Sequence, residues 1–268
     1  MLMQNWTHVD AALGSLNKIP IAPDETDFSR VRHYYLDGLG KHLRQTIAIS
    51  EHASVEVAAL LRTRCASVGG LLRARQSPAD GWLSKVLSSS VRVVLRRFDA
   101  LSPAAAADAR FEAFVEQVIP MLHADGTGQG TLVFIPSYFD YVRVRNKCRS
   151  ADVEAAELSE YADKPQAARA RTVFAQGASK ALLYTERAHF FHRYALRGVR
   201  HVCFYGMPTH AHLFAEIANM LAEGGGGSGG QTILILFCAY DRVQLDRALG
   251  AERAQHVLDG EQRTYVMH

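Results

Sequence analysis

The sequence predicts an α/β protein built on a parallel sheet with helices on both faces. From residue 131 onward, strand-like and helix-like stretches alternate, the pattern of a sheet whose strands are joined by helical crossovers. The strand-like stretches are short runs that are apolar throughout, as strands covered on both faces require: Thr131–Ile135, Ala181–Tyr184, Val199–Tyr205 and Thr232–Ala239. Hydrophobic residues make up 48% and charged residues 21% of the 268 positions, an ordinary balance for a chain with one large core.

Taken in order, Trp6, Val9, Leu13 and Leu16 recur at helical spacing, and Pro20 and Pro23 interrupt. Leu43–Ser50 reads as a strand. Ser54 is the expected N-cap of a helix over Val55–Arg64 that Gly69-Gly70 would stop. Residues 76–100 read as a connector with turn-rich Gln76–Gly81 and a weakly alternating Ser88–Phe98. Ser102-Pro103 opens a helix with the stripe Phe111, Phe114, Val115, Val118 and Leu122, which Pro120 should kink.

Strand Thr131–Ile135 then leads to a helix from Ser137 to about Cys148. A short strand over Val153–Leu158, a helix over Lys164–Gln176 and strand Ala181–Tyr184 follow. After strand Val199–Tyr205 come helix Thr209–Ala222, the low-complexity loop Gly224–Gly230, strand Thr232–Ala239 and a helix capped by Asp241. The complete domain is expected over residues 101–268.

No apolar run approaches the ~20 residues of a membrane helix, so no membrane role is expected. The opening Met-Leu-Met-Gln-Asn-Trp has no basic region followed by an apolar stretch, and no secretory signal is expected there. Cys65, Cys148, Cys203 and Cys238 form no close-spaced pair and read as free thiols.

Net charge is only +3, but it is uneven. Residues 141–200 hold twelve Lys/Arg against six Asp/Glu, which leaves the remainder of the chain net acidic. Such local excess points to an anionic partner. Ligands of open α/β sheets bind beyond the carboxyl ends of the strands, which is where Thr185, Glu186 and Arg187 fall.

Arg187, Arg193, Arg197 and Arg200 follow closely and read as one cationic crest. The helix start at Ser137 offers free N–H groups to a phosphate. Arg143 with Lys147, and Arg145 with Arg149, are like-charge pairs on a helix face that an anion would relieve. Arg169 and Arg171 add to this surface. Tyr138, Phe190 and Tyr194 are candidates for stacking on bases. The competing reading pairs these arginines with protein neighbours.

Glu186, His189, His192, His210 and His212 are the candidates for a metal site. Three-residue steps spread side chains around a helix, and zinc favours a tighter set, so no metal or other cofactor is expected. A metal-dependent nuclease is the weakest alternative.

Several long strings resemble one family. Thr131-Leu-Val-Phe-Ile-Pro-Ser-Tyr-Phe-Asp-Tyr-Val-Arg-Val-Arg145, Leu183-Tyr-Thr-Glu-Arg187, Arg197-Gly-Val-Arg-His201 and Tyr205-Gly-Met-Pro208 are similar to the C-terminal half of the U3 small nucleolar RNA-associated protein 25 family, also called digestive organ expansion factor. Gln4–His8, Asp27–Arg32 and Ser102–Phe114 agree with it.

The resemblance implies a DEAD-box-like fold without ATPase chemistry. Residues 101–268 would be the second RecA-like domain, and residues 1–75 a remnant of the first, in a C-terminal portion of a longer protein. It implies the nucleus and nucleolus, the small-subunit processome, pre-rRNA and/or U3 small nucleolar RNA, and other processome proteins as the setting of 18S rRNA maturation. Positions Ser137 to Arg145 and Thr185 to Arg187 match those that hold RNA in helicases.

The departures matter as much as the matches. No Asp-Glu-Ala-Asp string is present, and Gly40-Lys41 has Tyr35 where a phosphate loop needs its first Gly. Thr209–Met220 contains no arginine where a helicase places several, and loss of such a finger costs roughly 10³–10⁵ in rate. An active helicase with its motor motifs upstream is the rival reading, and a purely protein-binding platform is a third.

Overall fold

The computed structural model describes residues 5–16, 27–50, 55–74, 80–87, 91–124, 128–223 and 230–267. The chain divides into two compact units, Met1–Arg75 and Gln76–His268. Ser54 and residues 224–229 of the glycine loop lie outside the described residues.

Unit 1 holds helices α1 (Trp6–Ser15), α2 (His33–Leu36), α3 (Gly40–Leu43) and α4 (Val55–Thr63). Arg64 donates two hydrogen bonds of 2.9 Å to the Asp10 carboxylate, tying the end of α4 to α1. Helix α4 ends at Thr63, six residues before the expected glycine stop. The strand expected over Leu43–Ser50 is not found: α3 takes Leu43, and residues 44–50 are neither strand nor helix, with Ile47 and Ile49 exposed. They line an apolar groove of about 600 Å³ with Trp6, Leu13 and Leu60. Leu60 is the buried hydrophobic residue of this unit among those described.

Unit 2 contains the sheet. In chain order it runs β1 (Arg92–Arg97), α5 (Ala106–Gln117), α6 (Ile119–His123), β2 (Thr131–Ile135), α7 (Tyr138–Ser150), β3 (Ala155–Leu158), α8 (Lys164–Ala175) and β4 (Ala181–Thr185). Then follow α9 (Glu186–His192), β5 (His201–Phe204), α10 (His212–Glu223), β6 (Thr232–Phe237), α11 (Arg242–Leu249), α12 (Ala251–Asp259) and β7 (Thr264–Met267). Strand order is β3-β4-β2-β5-β6-β1-β7. Every pairing is parallel except β1 with β7.

The expected α/β class is therefore the one observed, and alternation along each strand sends side chains to two cores. Leu132, Phe134, Leu182, Tyr184, Val202, Phe204, Ile233 and Ile235 pack with Phe174, Phe214 and Leu245 from α8, α10 and α11. Val133, Ile135, Leu183, Cys203, Tyr205, Leu234 and Leu236 pack with Phe114, Leu122, Tyr141 and Val144 from α5, α6 and α7.

Three elements differ from expectation. The stretch read as a connector supplies β1, which lies inside the sheet between β6 and β7. Its arginines obscured the pattern, yet two find acceptors: Arg96 donates to the Gln117 carbonyl, and Arg97 to the carbonyls of Leu258 and Gly260. The basic connection after β4 begins with a helix, α9, capped by the Thr185 hydroxyl, which accepts from the Ala188 N–H at 3.3 Å. The four-residue β7 was not foreseen.

Asp241, expected as a helix cap, does stand at the N-cap of α11, but its carboxylate makes no bond into that helix and instead accepts from Cys238 N–H and from Arg110. Proline 120 does fall at a break, in the first turn of α6 after α5 ends at Gln117.

Cys148, Cys203 and Cys238 are buried and unpaired, whereas Cys65 is half-exposed. Burial raises the thiols of Cys148 and Cys203 to about 11 and about 12. With so little thiolate at neutral pH, these two should resist iodoacetamide in the native protein while Cys65 labels. All four should label in denaturant, as mass spectrometry would read. Labelling of Cys203 as fast as Cys65 without denaturant would contradict this core.

Candidate nucleic-acid interface

The carboxyl edge of the sheet carries the groups best placed for a ligand. Strands β2 and β4 are neighbours, with Ile135 opposite Thr185, so Ser137 and Glu186–Arg187 leave the sheet side by side. Ser137 is the N-cap residue of α7, and its side chain makes no capping bond. Arg187 is exposed, with its guanidinium 5.7 Å from the Phe191 ring centre.

Thr185 is fully buried, and its hydroxyl is committed twice. It donates to the Glu160 carboxylate at 2.8 Å and accepts from Ala188 N–H. It therefore orients the turn that presents Arg187.

Glu186 is buried, and its carboxylate accepts from Thr209 N–H (2.9 Å), His210 N–H (3.1 Å) and His210 Nδ1–H (3.0 Å). These donors sit in the loop between β5 and α10. They belong to the segment where the arginine-free string Thr209–Met220 starts. A carboxylate from within the protein thus fills the N–H groups at that turn.

One helical turn along α9, His189 is buried between Tyr184 and Glu216. Its Nε2–H donates to Glu216 at 3.1 Å, and its Nδ1 accepts from the Tyr184 hydroxyl at 3.2 Å, an arrangement that uses the neutral ring. Burial lowers the pKa of His189, more than Glu216 raises it. Arg193 donates to the same Glu216 carboxylate at 2.6 Å from a left-handed backbone position, φ 43°.

On the opposite face, Arg110 from α5 chelates Asp241 at 2.7 and 2.8 Å and donates to the carbonyls of Tyr205 and Leu236. Both partners are largely buried, at 12% and 14% side-chain exposure. The Asp140 carboxyl nearby is raised, chiefly by desolvation, with Arg110 and Arg143 pulling it back. Sequence reasoning missed Glu216 and the Arg110–Asp241 pair, because their partners are remote in the chain.

The remaining predicted residues fall in separate places. Arg143 binds Asp108 at 2.8 Å and lies 4.5 Å from the Phe111 ring centre, so it is held by α5. Arg145 is half-buried and contacts Asn146. Arg149 pairs with Glu157 at 2.6 Å. Arg169 is exposed on α8, on the other face of the sheet from α7. Arg171 lies over Tyr194 at 4.5 Å.

Arg197 and Arg200 are exposed at the amino edge, not beside Arg187. Arg200 N–H donates to the Gly130 carbonyl just before β2, and a Cβ on Gly130 (φ +77°) would stand 2.7 Å from the Gly198 carbonyl oxygen. The single crest expected from sequence is therefore split between two edges.

No group of three or more metal-binding side chains forms among the described residues. Glu186, His189 and His210 have the partners given above, while His192 stacks on Tyr194.

Residues 83–267 match the family model described as "Utp25, C-terminal domain". Residues 1–72 match the model described as "UTP25, NTP hydrolase-like domain". The chain belongs to the Utp25 family.

Similar relatives include U3 small nucleolar RNA-associated protein 25 of Chaetomium globosum, 40% identical over 280 residues, covering 99% of this chain and 38% of the relative. The Homo sapiens homolog of that name is 35% identical over 266 residues, covering 99% of this chain and 35% of the relative. The chain thus spans under two-fifths of the length of these family members.

Among solved structures, E. coli DEAD-box protein SrmB bound to RraA is similar with a TM-score of 0.47 and 16% identity, over 60% of this chain and 84% of that one. The C-terminal domain of the DEAD-box protein Dbp5 gives 0.45 and 16%, over 61% and 83%.

Two outcomes follow from the site's geometry. Arg110→Ala strands the buried Asp241 carboxylate and should cost about 3–5 kcal/mol in urea unfolding; a loss below ~1 kcal/mol would show that the pair is solvated.

The second concerns pH. Around His189 stand Tyr184 from β4, Glu216 and His212 from α10, and Arg193 at the end of α9. Its folded pKa lies below the unfolded value of about 6.5, so below that pH the unfolded chain binds more protons. The stability it contributes is present above ~6.5 and drains away as pH falls. The urea midpoint should drop between about pH 7.5 and about pH 5.5, and less steeply in His189→Gln. Parallel slopes in the two proteins would refute the assignment.

Proposed function

We propose that this chain is the helicase-shaped, non-catalytic part of a small-subunit processome protein. In this reading unit 2 is a second RecA-like domain that holds pre-ribosomal RNA or U3 small nucleolar RNA, together with neighbouring processome proteins, in the nucleolus during 18S rRNA maturation. Membership of the Utp25 family and the U3-associated name of its relatives support the setting.

The observation that carries the non-catalytic reading is the buried Glu186 carboxylate. It takes the N–H groups of Thr209 and His210, at the head of a segment that carries no arginine to sense a phosphate. An anion arriving there would meet a fixed negative charge.

The RNA contact in this proposal is centred on the carboxyl edge, with the α7 start at Ser137 and the exposed Arg187 facing the backbone and Arg145 further along α7. Arg169 and Arg197 lie elsewhere and would serve a second stretch of RNA or a protein. Arg143 and Arg193 act through Asp108 and Glu216 as positioning residues. Unit 1, with Leu60 the one buried hydrophobic among its described residues and Ile47 and Ile49 exposed, fits a piece of an NTPase-like domain whose other elements would cover the groove.

The test is paired. RNA-stimulated ATP turnover should be absent, and RNA affinity should fall steeply with salt. Arg187→Glu should weaken binding several-fold and flatten the salt slope. ATP turnover at helicase-like rates would favour the motor reading. RNA affinity indifferent to Arg187→Glu and Arg145→Glu would favour the protein platform.

A further inference from the structure

The exposed phenylalanine and tyrosine side chains of unit 2 fall on one kind of segment. Among the described residues they are Phe139, Tyr161, Phe190, Phe191 and Tyr240. Each lies in a segment that leaves the carboxyl end of a strand: Phe139 after β2, Tyr161 after β3, Phe190 and Phe191 after β4, and Tyr240 after β6. The loops at the amino edge carry none.

Phe139 is 84% exposed and Tyr161 68%, extreme values for rings in a domain with so full a core. They are not a random scatter. Tyr138, next to Phe139, meets Tyr161 edge-on at 4.6 Å and stacks on Tyr141 at 5.7 Å, so β2's and β3's exits share one aromatic ledge. On the β4 side, Arg187 lies over Phe191, and Phe190 stands 5.2 Å from His210.

The chemistry of the edge selects among occupants. Most of its carboxylates are engaged from within: Glu160 by the Thr185 hydroxyl, Asp163 by Gln166 in a capping box, Glu186 by the loop after β5, and Asp241 by Arg110, while Asp140, next to Phe139, feels the charges of Arg110 and Arg143. Arg187 remains as an exposed cation among rings. Aromatic faces with an adjacent guanidinium suit unpaired bases linked by phosphates. A duplex hides its base faces and offers the rings nothing to stack on. A grip on the sugar–phosphate backbone alone would likewise leave Phe139 and Tyr161 without a role.

We propose that the carboxyl edge is a stacking ledge for single-stranded RNA, on which Phe139 and Tyr161 take unpaired bases while Arg187 meets the flanking phosphates. The inference rests on the RNA-holding reading above and adds that the RNA is unpaired where it is held.

The experiment measures affinity of the full chain for a short oligouridine and for a blunt RNA duplex of equal length. Phe139→Ala and Tyr161→Ala remove only exposed rings, and circular dichroism would check that the fold is kept. Each should weaken oligouridine binding by about tenfold and leave duplex binding unchanged, whereas Arg187→Glu should weaken both. Phe139→Trp should retain affinity and lose indole fluorescence on binding oligouridine.

Unchanged affinity in both alanine variants, with Arg187→Glu still harmful, would overturn the ledge. It would leave the RNA reading standing and assign the rings to a protein partner. Oligouridine affinity that none of the four variants alters, or no measurable affinity at all, would overturn both.

Discussion

The contact that organises the carboxyl edge is the one between Glu186 and the loop at Thr209–His210. A parallel ladder fixes strands but says little about the loops that leave them, and β4 and β5 are separated by β2. Glu186 reaches across that gap. Its buried charge would be costly if left alone, and three donors make it tolerable. Once it is in place, the start of α9 and the approach to α10 cannot move independently. His189 and Arg193 then fasten the same two helices through Glu216, so α9 is held at both ends. Across the sheet, Arg110 and Asp241 do the corresponding work for the exits of β5 and β6.

What was readable in the sequence is what depends on near neighbours. The runs Thr131–Ile135 and Ala181–Tyr184 are apolar because both faces of β2 and β4 are covered, and that shows in a single window. Strand β1 was lost because Arg92, Arg96 and Arg97 dilute its alternation. Arg96 and Arg97 are tolerated because of carbonyls that only the fold brings near. Leu43–Ser50 failed in the other direction: its local pattern suits a strand, but a strand exists only with a partner to pair with. Asp241 looked like a cap since it precedes a helix. Its true partner, Arg110, is 131 residues away.

The split of the basic crest has a general cause. A connection between two parallel strands must start at the carboxyl edge and finish at the amino edge. Charges clustered along such a connection are drawn apart by the full length of a strand. Arg187 stays where β4 ends, and Arg197 and Arg200 arrive where β5 begins. Local charge excess in sequence therefore overstates the size of any one patch when it spans a crossover. The candidate residues that remain together are those at the exits of neighbouring strands, Ser137 and Arg187, because register and not sequence distance sets their spacing.

The same contacts support the proposed reading of a helicase-shaped chain that does not cycle. A helicase loop has to shift when a nucleotide comes and goes, which demands contacts that break at little cost. Here the segments that follow β4 and β5 are joined by a buried carboxylate, a buried neutral histidine and an arginine in a left-handed conformation, each expensive to rearrange. Rigidity of that kind is a poor basis for stepping along RNA and a good one for presenting Arg187 and the edge rings at fixed spacing. Preorganised groups lose less entropy on binding, so under the proposed RNA-holding reading this surface would need no nucleotide-driven step to present its contacts.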